Sequence, residues 1–182
     1  MVSSGVPNCQ NELMPVAEQP YMPEYGVGGP DWEPLPWSWA SERLSGYRSF
    51  WVVTSSPASR PHAMPVWGVW DDERHRFGFS CGHLTRKAYN IRANPQVVVT
   101  GADPVEAVSI EGTAAEVTEA AALQDWVARY IGKYGEEAPE PSFFSRYAFF
   151  EVTPEIAFGV IDREPEFSTR ATRWRFSEEF PG

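Results

Sequence analysis

The sequence predicts a mainly β protein: an antiparallel barrel, closed or partly open, flanked by a few helices. Short β-branched and aromatic runs recur along the chain, each bounded by Pro, Gly or acidic turns, which is the pattern of strands joined in hairpins. No strand–helix–strand repetition and no glycine-rich nucleotide loop occurs, which excludes Rossmann and P-loop architectures. The 182 residues, 42% of them hydrophobic and including 8 Trp, 7 Tyr and 11 Phe, suffice for one well-filled core.

In chain order, residues 1–36 hold seven of the 17 prolines and form a Pro-rich extension, either disordered or laid extended across the body formed by residues 37–182. Ser38 to Gly46 reads as a two-turn helix with Ser38 as cap and Gly46 as stop. Strands follow over Ser49–Thr54, over His62–Trp70 with a break at Pro65 or Gly68, and over Arg76–Ser80. Leu84–Ala93 places Leu84, Ala88 and Ile91 on one helical face and ends at Asn94-Pro95. Gln96–Thr100 and Ala107–Val117 form a hairpin, the second strand alternating Val108, Ile110 and Gly112 with Ser109, Glu111 and Thr113. Glu119–Tyr134, capped by Thr118, is the longest helix, and Tyr147–Val152, Ile156–Ile161 and Ala171–Phe176 are the last strands.

A formal net charge of −10 argues against nucleic acid or anionic membrane as a partner. No apolar run reaches the ~18 residues of a membrane span, and the N-terminal stretch lacks the pattern of a secretion signal, so a cytoplasmic protein is expected. Cys9 and Cys81 match no metal spacing and read as free thiols. Cations are unevenly placed: the window Arg74–Arg92 holds Arg74, Arg76, Arg86, Lys87 and Arg92 and no acid.

Within that window, Ser80-Cys-Gly-His-Leu-Thr85-Arg86-Lys87 runs from a strand end to a helix start and offers hydroxyls, first-turn amides and two cations. Those are the groups that stabilise a phosphate; the alternative is a solvated basic helix face. In Arg60-Pro-His-Ala-Met-Pro65-Val-Trp67, proline inside a strand removes a ladder bond and leaves backbone groups to face a flat heteroaromatic ring. His62 is otherwise a hydrogen-bonded barrel histidine, since no nucleophile or acid lies near it in the sequence, and no catalytic triad is expected. Arg173-Trp174-Arg175 sets an aromatic ring and two cations on opposite faces of a terminal strand, either for packing and solvation or toward a ligand at a subunit interface.

These pieces together, WSWASERL, SFWVVT, RPHAMPVWGVWDD, FGFSCGHLTRKAYNIRANPQVVVT, VSIEGTAAEV and ATRWRF, resemble the pyridoxamine 5′-phosphate oxidase-like FMN-binding split-barrel family over roughly residues 37–176. The resemblance implies an antiparallel split β-barrel forming a homodimer, with cofactors at the dimer interface. It places the cofactor phosphate on Arg86 and Lys87 with Thr85 and Ser80 as hydroxyl donors. The strand His62, Met64, Pro65, Val66 and Trp67 would lie along the ring system, and Trp174 would approach from the other subunit.

Pyridoxamine phosphate oxidases themselves carry Arg-x-Val-Leu-Leu-Lys and a C-terminal Arg-x-His, where this chain has His-Ala-Met-Pro-Val-Trp and Arg-Trp-Arg, so vitamin B6 oxidation is not implied. The Pro-Val-Trp and Ala-Thr-Arg-Trp forms look more like the actinobacterial flavin/deazaflavin branch, similar to reductases using coenzyme F-420. The resemblance implies hydride transfer to a small unsaturated substrate, with FMN as the alternative cofactor. A non-catalytic flavin or haem carrier is the other reading, in which His62, His75 or His83 would ligate iron. No resident metal site is expected.

Overall fold

The computed structural model describes residues 14–176. Cys9 lies outside the described residues. The elements are β1 (Val16–Glu18), α1 (Trp37–Gly46), β2 (Phe50–Ser55), β3 (Pro61–Val66), β4 (Gly68–Asp71), β5 (Arg76–Cys81), α2 (Arg86–Ala93), β6 (Gln96–Gly101), β7 (Glu106–Glu116), α3 (Ala120–Tyr134), α4 (Pro141–Phe144), β8 (Ala148–Ile161), α5 (Glu166–Arg170) and β9 (Thr172–Arg175).

The nine strands form one antiparallel sheet in the order β1-β9-β8-β7-β6-β2-β3, with β4 on β5 and β5 on the first half of β8. The barrel is therefore open. Among the described residues strand β3 pairs only with β2, β4 pairs only with β5, and Trp67 alone separates β3 from β4. Along the seam β3 and β5 touch without forming a ladder.

Inward residues fill the barrel: Phe50, Val52, Phe77, Phe79, Val99, Ile110, Phe150 and Val152 are each at most 1% exposed. A second apolar cluster, Val69, Trp126, Tyr130, Phe144 and Phe149, lies outside the sheet beneath α3 and α4. It exists because Gly78 on β5 leaves the space that the Trp126 ring fills.

Several local expectations are corrected. Ser38 lies inside α1, whose cap is Pro36 without a side-chain hydrogen bond, its carbonyl accepting from the Trp39 amide at 3.0 Å. The long strand from His62 breaks at Trp67, between the two expected positions. Helix α3 is capped by Glu119, whose carboxylate accepts from the Ala122 amide at 2.8 Å, and not by Thr118.

The two strands expected at 147–152 and 156–161 are one, β8, running through Pro154. Its register against β7 shifts where Glu111 faces Ile156 and Gly112 faces Pro154, so Glu155 is the extra residue of a bulge and proline's missing donor falls at the irregularity. A Cβ on Gly112 would lie 2.1 Å from the Thr153 carbonyl oxygen. Gly112→Ala should therefore cost ~2 kcal/mol or more and lower the melting temperature by about 4–8 °C, read by calorimetry.

From Met14 onward the N-terminal extension lies along the body. Strand β1 adds to β9, the Trp32 indole donates to the Ala171 carbonyl at 2.8 Å, and the Leu35 amide donates to Thr172 Oγ1 at 2.8 Å. Tyr25 packs edge-on against Phe167 of α5.

Candidate functional site

The seam between β3 and β5 ends at the N-terminus of α2, where Thr85, Arg86 and Lys87 follow one another in the chain. Thr85 caps α2: its hydroxyl accepts from the Ala88 amide at 3.4 Å and donates to the Gly82 carbonyl at 2.8 Å, which turns the Cys81–Thr85 loop into the helix. The first-turn amides of Arg86 and Lys87 are helix donors without intrahelical acceptors. Arg86 Nη1 donates toward His62 Nδ1 on β3 at 3.4 Å, so strand and helix meet across the seam.

Beneath this corner Asn90 and Thr54, 1% and 2% exposed, pin α2 to β2 through Asn90 Nδ2 donating to Thr54 Oγ1 at 2.9 Å. No sequence spacing marks that pair.

The electrostatics bear on the same corner. Nine arginines pair with carboxylates: Arg43, Arg48, Arg74, Arg76, Arg92, Arg129, Arg163, Arg173 and Arg175. Among the described residues Arg60, Arg86, Lys87, Lys133, Arg146 and Arg170 have no such partner, and the first three lie at the β3 and α2 borders of the seam. The basic window of the sequence is thus mostly internal pairing: Arg74 is bound to Asp71 and Asp125, Arg76 approaches Glu151, and Arg92 is bound to Glu116. The exception is Arg86-Lys87, charge without a counterion among the described residues in a chain of net −10.

Other expected site residues are placed less uniformly. His62, Met64 and Val66 share one face of β3, Met64 being 53% exposed while Val66 is buried in the barrel core. Pro65 faces outward opposite Trp51. Ser80 Oγ donates to the Ala148 carbonyl at 3.0 Å, so its hydrogen is engaged within the sheet.

Trp67 stacks on Tyr134 with ring centroids 4.8 Å apart, and the Arg48 guanidinium lies 5.1 Å from its ring centre, so the indole is engaged within the fold. The Trp67 carbonyl is held by the Tyr130 hydroxyl.

Trp174 departs from its expected place. It is fully buried in the barrel against Trp37, with ring centroids 5.5 Å apart, whereas Arg173 and Arg175 face outward and pair with Glu18. Its indole is core, because β9 turns that face inward.

At the Trp67 end, Lys133 of α3 donates to the Gly68 carbonyl at 3.0 Å with its ammonium 4.9 Å from the Phe50 ring, and burial lowers its pKa to about 8. An unfolded lysine ionises near 10.4. Between those values the unfolded chain binds the extra proton, so this group's contribution to stability rises from about pH 8 to about 10. Lys133→Met should remove that rise relative to the parent, measured as the difference in melting temperature across the interval; parallel curves would show the amine to be freely solvated.

The remaining histidines sit elsewhere. His75 packs against Trp37, Trp70 and Phe176 and is shifted toward the neutral form by burial. His83 lies beside Glu116 on the loop before α2. Cys81 is a buried free thiol whose pKa burial raises, unsuited to nucleophilic work. Among the described residues no three His, Cys, Asp or Glu side chains converge to hold a metal ion, and no helix is long and apolar enough to cross a membrane.

Comparisons with known proteins accord with this architecture. Many solved structures superpose on the chain, among them the following three. The heme storage protein HutZ from Vibrio cholerae has TM-score 0.55 and 20% identity, with 64% of this chain and 87% of that one covered. A conserved hypothetical protein from Mycobacterium tuberculosis has TM-score 0.61 and 16% identity, covering 85% and 96%. General Stress Protein 26 from Bacillus anthracis has TM-score 0.53 and 16% identity, covering 70% and 94%. At such identities the likeness is one of fold. No curated protein matches the chain at a significant level. Residues 40–160 match the family model for pyridoxamine 5′-phosphate oxidase, which spans most of the barrel and both borders of the seam, and the chain belongs to that family.

Proposed function

We propose that this protein is an oxidoreductase of the flavin type, a coenzyme F-420-dependent reductase acting on a small unsaturated substrate, with FMN as the alternative cofactor. The observation that carries the reading is the corner at α2: a capped helix N-terminus with Arg86 and Lys87 unpaired among the described residues, while most arginines elsewhere are neutralised. That donor set fits a phosphate. From there the seam runs along β3 from His62 to Trp67, a lane with one unpaired strand edge on which a flat ring system can lie.

Bound there, the reduced ring would supply a hydride to an activated double bond, imine or quinone. The chain's own part is to bind, orient and shield from water, for which no acid–base pair is required.

A homodimer with the cofactor at the interface belongs to the same reading. The outer face of β2, β3 and β6 exposes Trp51, Ala63 and Pro65 around a shallow ~200 Å³ cavity lined by Val53, Ser55, Pro61 and Val98. A second copy of this face would cover it. Cytoplasmic placement also belongs to it, since the free Cys81 thiol suits a reducing compartment.

The test is equilibrium binding of oxidised coenzyme F-420 and of FMN to cofactor-free protein, with light scattering for mass. Micromolar or tighter deazaflavin binding, weaker FMN binding and a dimeric mass are expected. Reversed preference would make the protein an FMN enzyme, and binding of neither would remove the oxidoreductase reading. The likeness to a heme storage protein supports a carrier reading only if a histidine binds iron. His62, beside Arg86, is the one on the seam, so an unchanged haem titration of His62→Ala would count against it.

A further inference from the structure

The loop Gly82–Leu84 delivers the chain into the N-terminus of α2, yet little holds it. The Leu84 side chain is fully exposed. The Gly82 carbonyl accepts from the amide and hydroxyl of Thr85, contacts that lie inside the turn itself. Among the described residues the hydrogen bond that ties this loop to the rest of the fold comes from Arg92, in the last turn of α2. Its Nη1 donates to the His83 carbonyl at 2.9 Å.

The same guanidinium is fixed by a carboxylate. Nε donates to Glu116 Oε2 at 2.9 Å and Nη2 to Glu116 Oε1 at 3.1 Å, a two-pronged pair on the end of β7. The His83 ring stands at the edge of the pair, 3.7 Å from Glu116 and 3.5 Å from Arg92 Nη2. One planar fork thus joins the loop before α2, the end of α2 and the barrel wall.

We infer that Arg92, held in plane by Glu116, is the positioning residue of the anion site proposed above, fixing the loop that aims Thr85 and the first-turn amides of α2. The inference rests on that site and concerns how it is kept in shape. It makes a prediction opposite in sign to simple electrostatics. Removing the Glu116 charge makes the neighbourhood more positive, which by itself favours an anion. Loss of positioning disfavours it.

The experiment compares wild type, Glu116→Gln, Arg92→Lys and the double variant Arg86→Ala/Lys87→Ala by calorimetric titration with FMN and with orthophosphate. Amide exchange at Thr85 and Ala88, whose N–H groups reach Gly82 O and Thr85 Oγ1, is followed without ligand. Glu116→Gln should bind FMN ~10-fold more weakly, with the melting temperature within ~2 °C of wild type because partly exposed ion pairs contribute little to stability. Arg92→Lys keeps the charge but not the fork, and should be no better. Both should speed exchange at Thr85 and Ala88 while core strands are unaffected.

Equal or tighter binding by Glu116→Gln, with unchanged exchange, overturns the positioning role. If that occurs while Arg86→Ala/Lys87→Ala loses binding, the anion site stands and only this inference fails. If wild type binds neither probe, the site reading fails, and the exchange data alone decide whether Arg92 sets the loop.

Discussion

Replacing Arg86 and Lys87 together by alanine should weaken binding of the phosphate-bearing cofactor by roughly 3–5 kcal/mol, about 150- to 5,000-fold in Kd. Each side chain is expected to make one charge-assisted contact of about 1.5–3 kcal/mol. Neither cation gives up a carboxylate partner among the described residues when ligand binds, so little of that gain is lost in exchange. The contrast with Arg175 is instructive: it is already bound to Glu18, and Arg175→Ala should leave cofactor affinity unchanged. Titrations at several salt concentrations add a second reading. Wild-type affinity should fall as salt rises, and the double variant should lose most of that slope. Equal affinity in the double variant would remove the phosphate site.

The second large effect is expected from Trp174→Ala, a loss of about 3–5 kcal/mol in folding stability. The ring is fully buried, packs on Trp37 and covers Gly159 so closely that a Cβ there would lie 2.6 Å from it. Its removal leaves a cavity beside rings that cannot all collapse into it. Affinity for the cofactor, measured on the folded fraction, should stay within about twofold, because the indole faces the barrel interior. A selective loss of affinity with stability preserved would return Trp174 to the binding site.

Much of this was legible from residue order. Alternating apolar positions located most of the strands, and Thr85 followed by Arg86-Lys87 marked the helix start on which the site rests, although Leu84, read as part of that helix's apolar face, precedes α2 and is fully exposed. The errors have physical causes. Pro154 reads as a strand terminator because proline cannot join a ladder, yet a bulge opposite Gly112 lets β8 continue through it. Residue order offered packing for Trp174 and the family resemblance offered a ligand contact, since strand alternation fixes which residues share a face but not which face meets the core. The Arg92–Glu116 fork and the Asn90–Thr54 pin join residues separated by 24 and 36 positions, contacts that depend on the closed packing of α2 on the barrel and leave no local pattern.

The pairing of β8 bears on how the chain is made. Its first half supplies the second edge of β5, joining Ser80 to Ala148 across 68 residues, and its second half carries β9, which receives the N-terminal extension through a Trp32–Ala171 bond spanning 139. During synthesis β5 and β7 therefore emerge long before the strand that satisfies both of them. Until residue 161 leaves the ribosome, the nascent chain presents two unpaired strand edges and an uncovered aromatic interior, the kind of surface that holdase chaperones bind. Folding should be slow and nearly all-or-none, with truncations before β8 recovered as aggregates rather than as partial barrels.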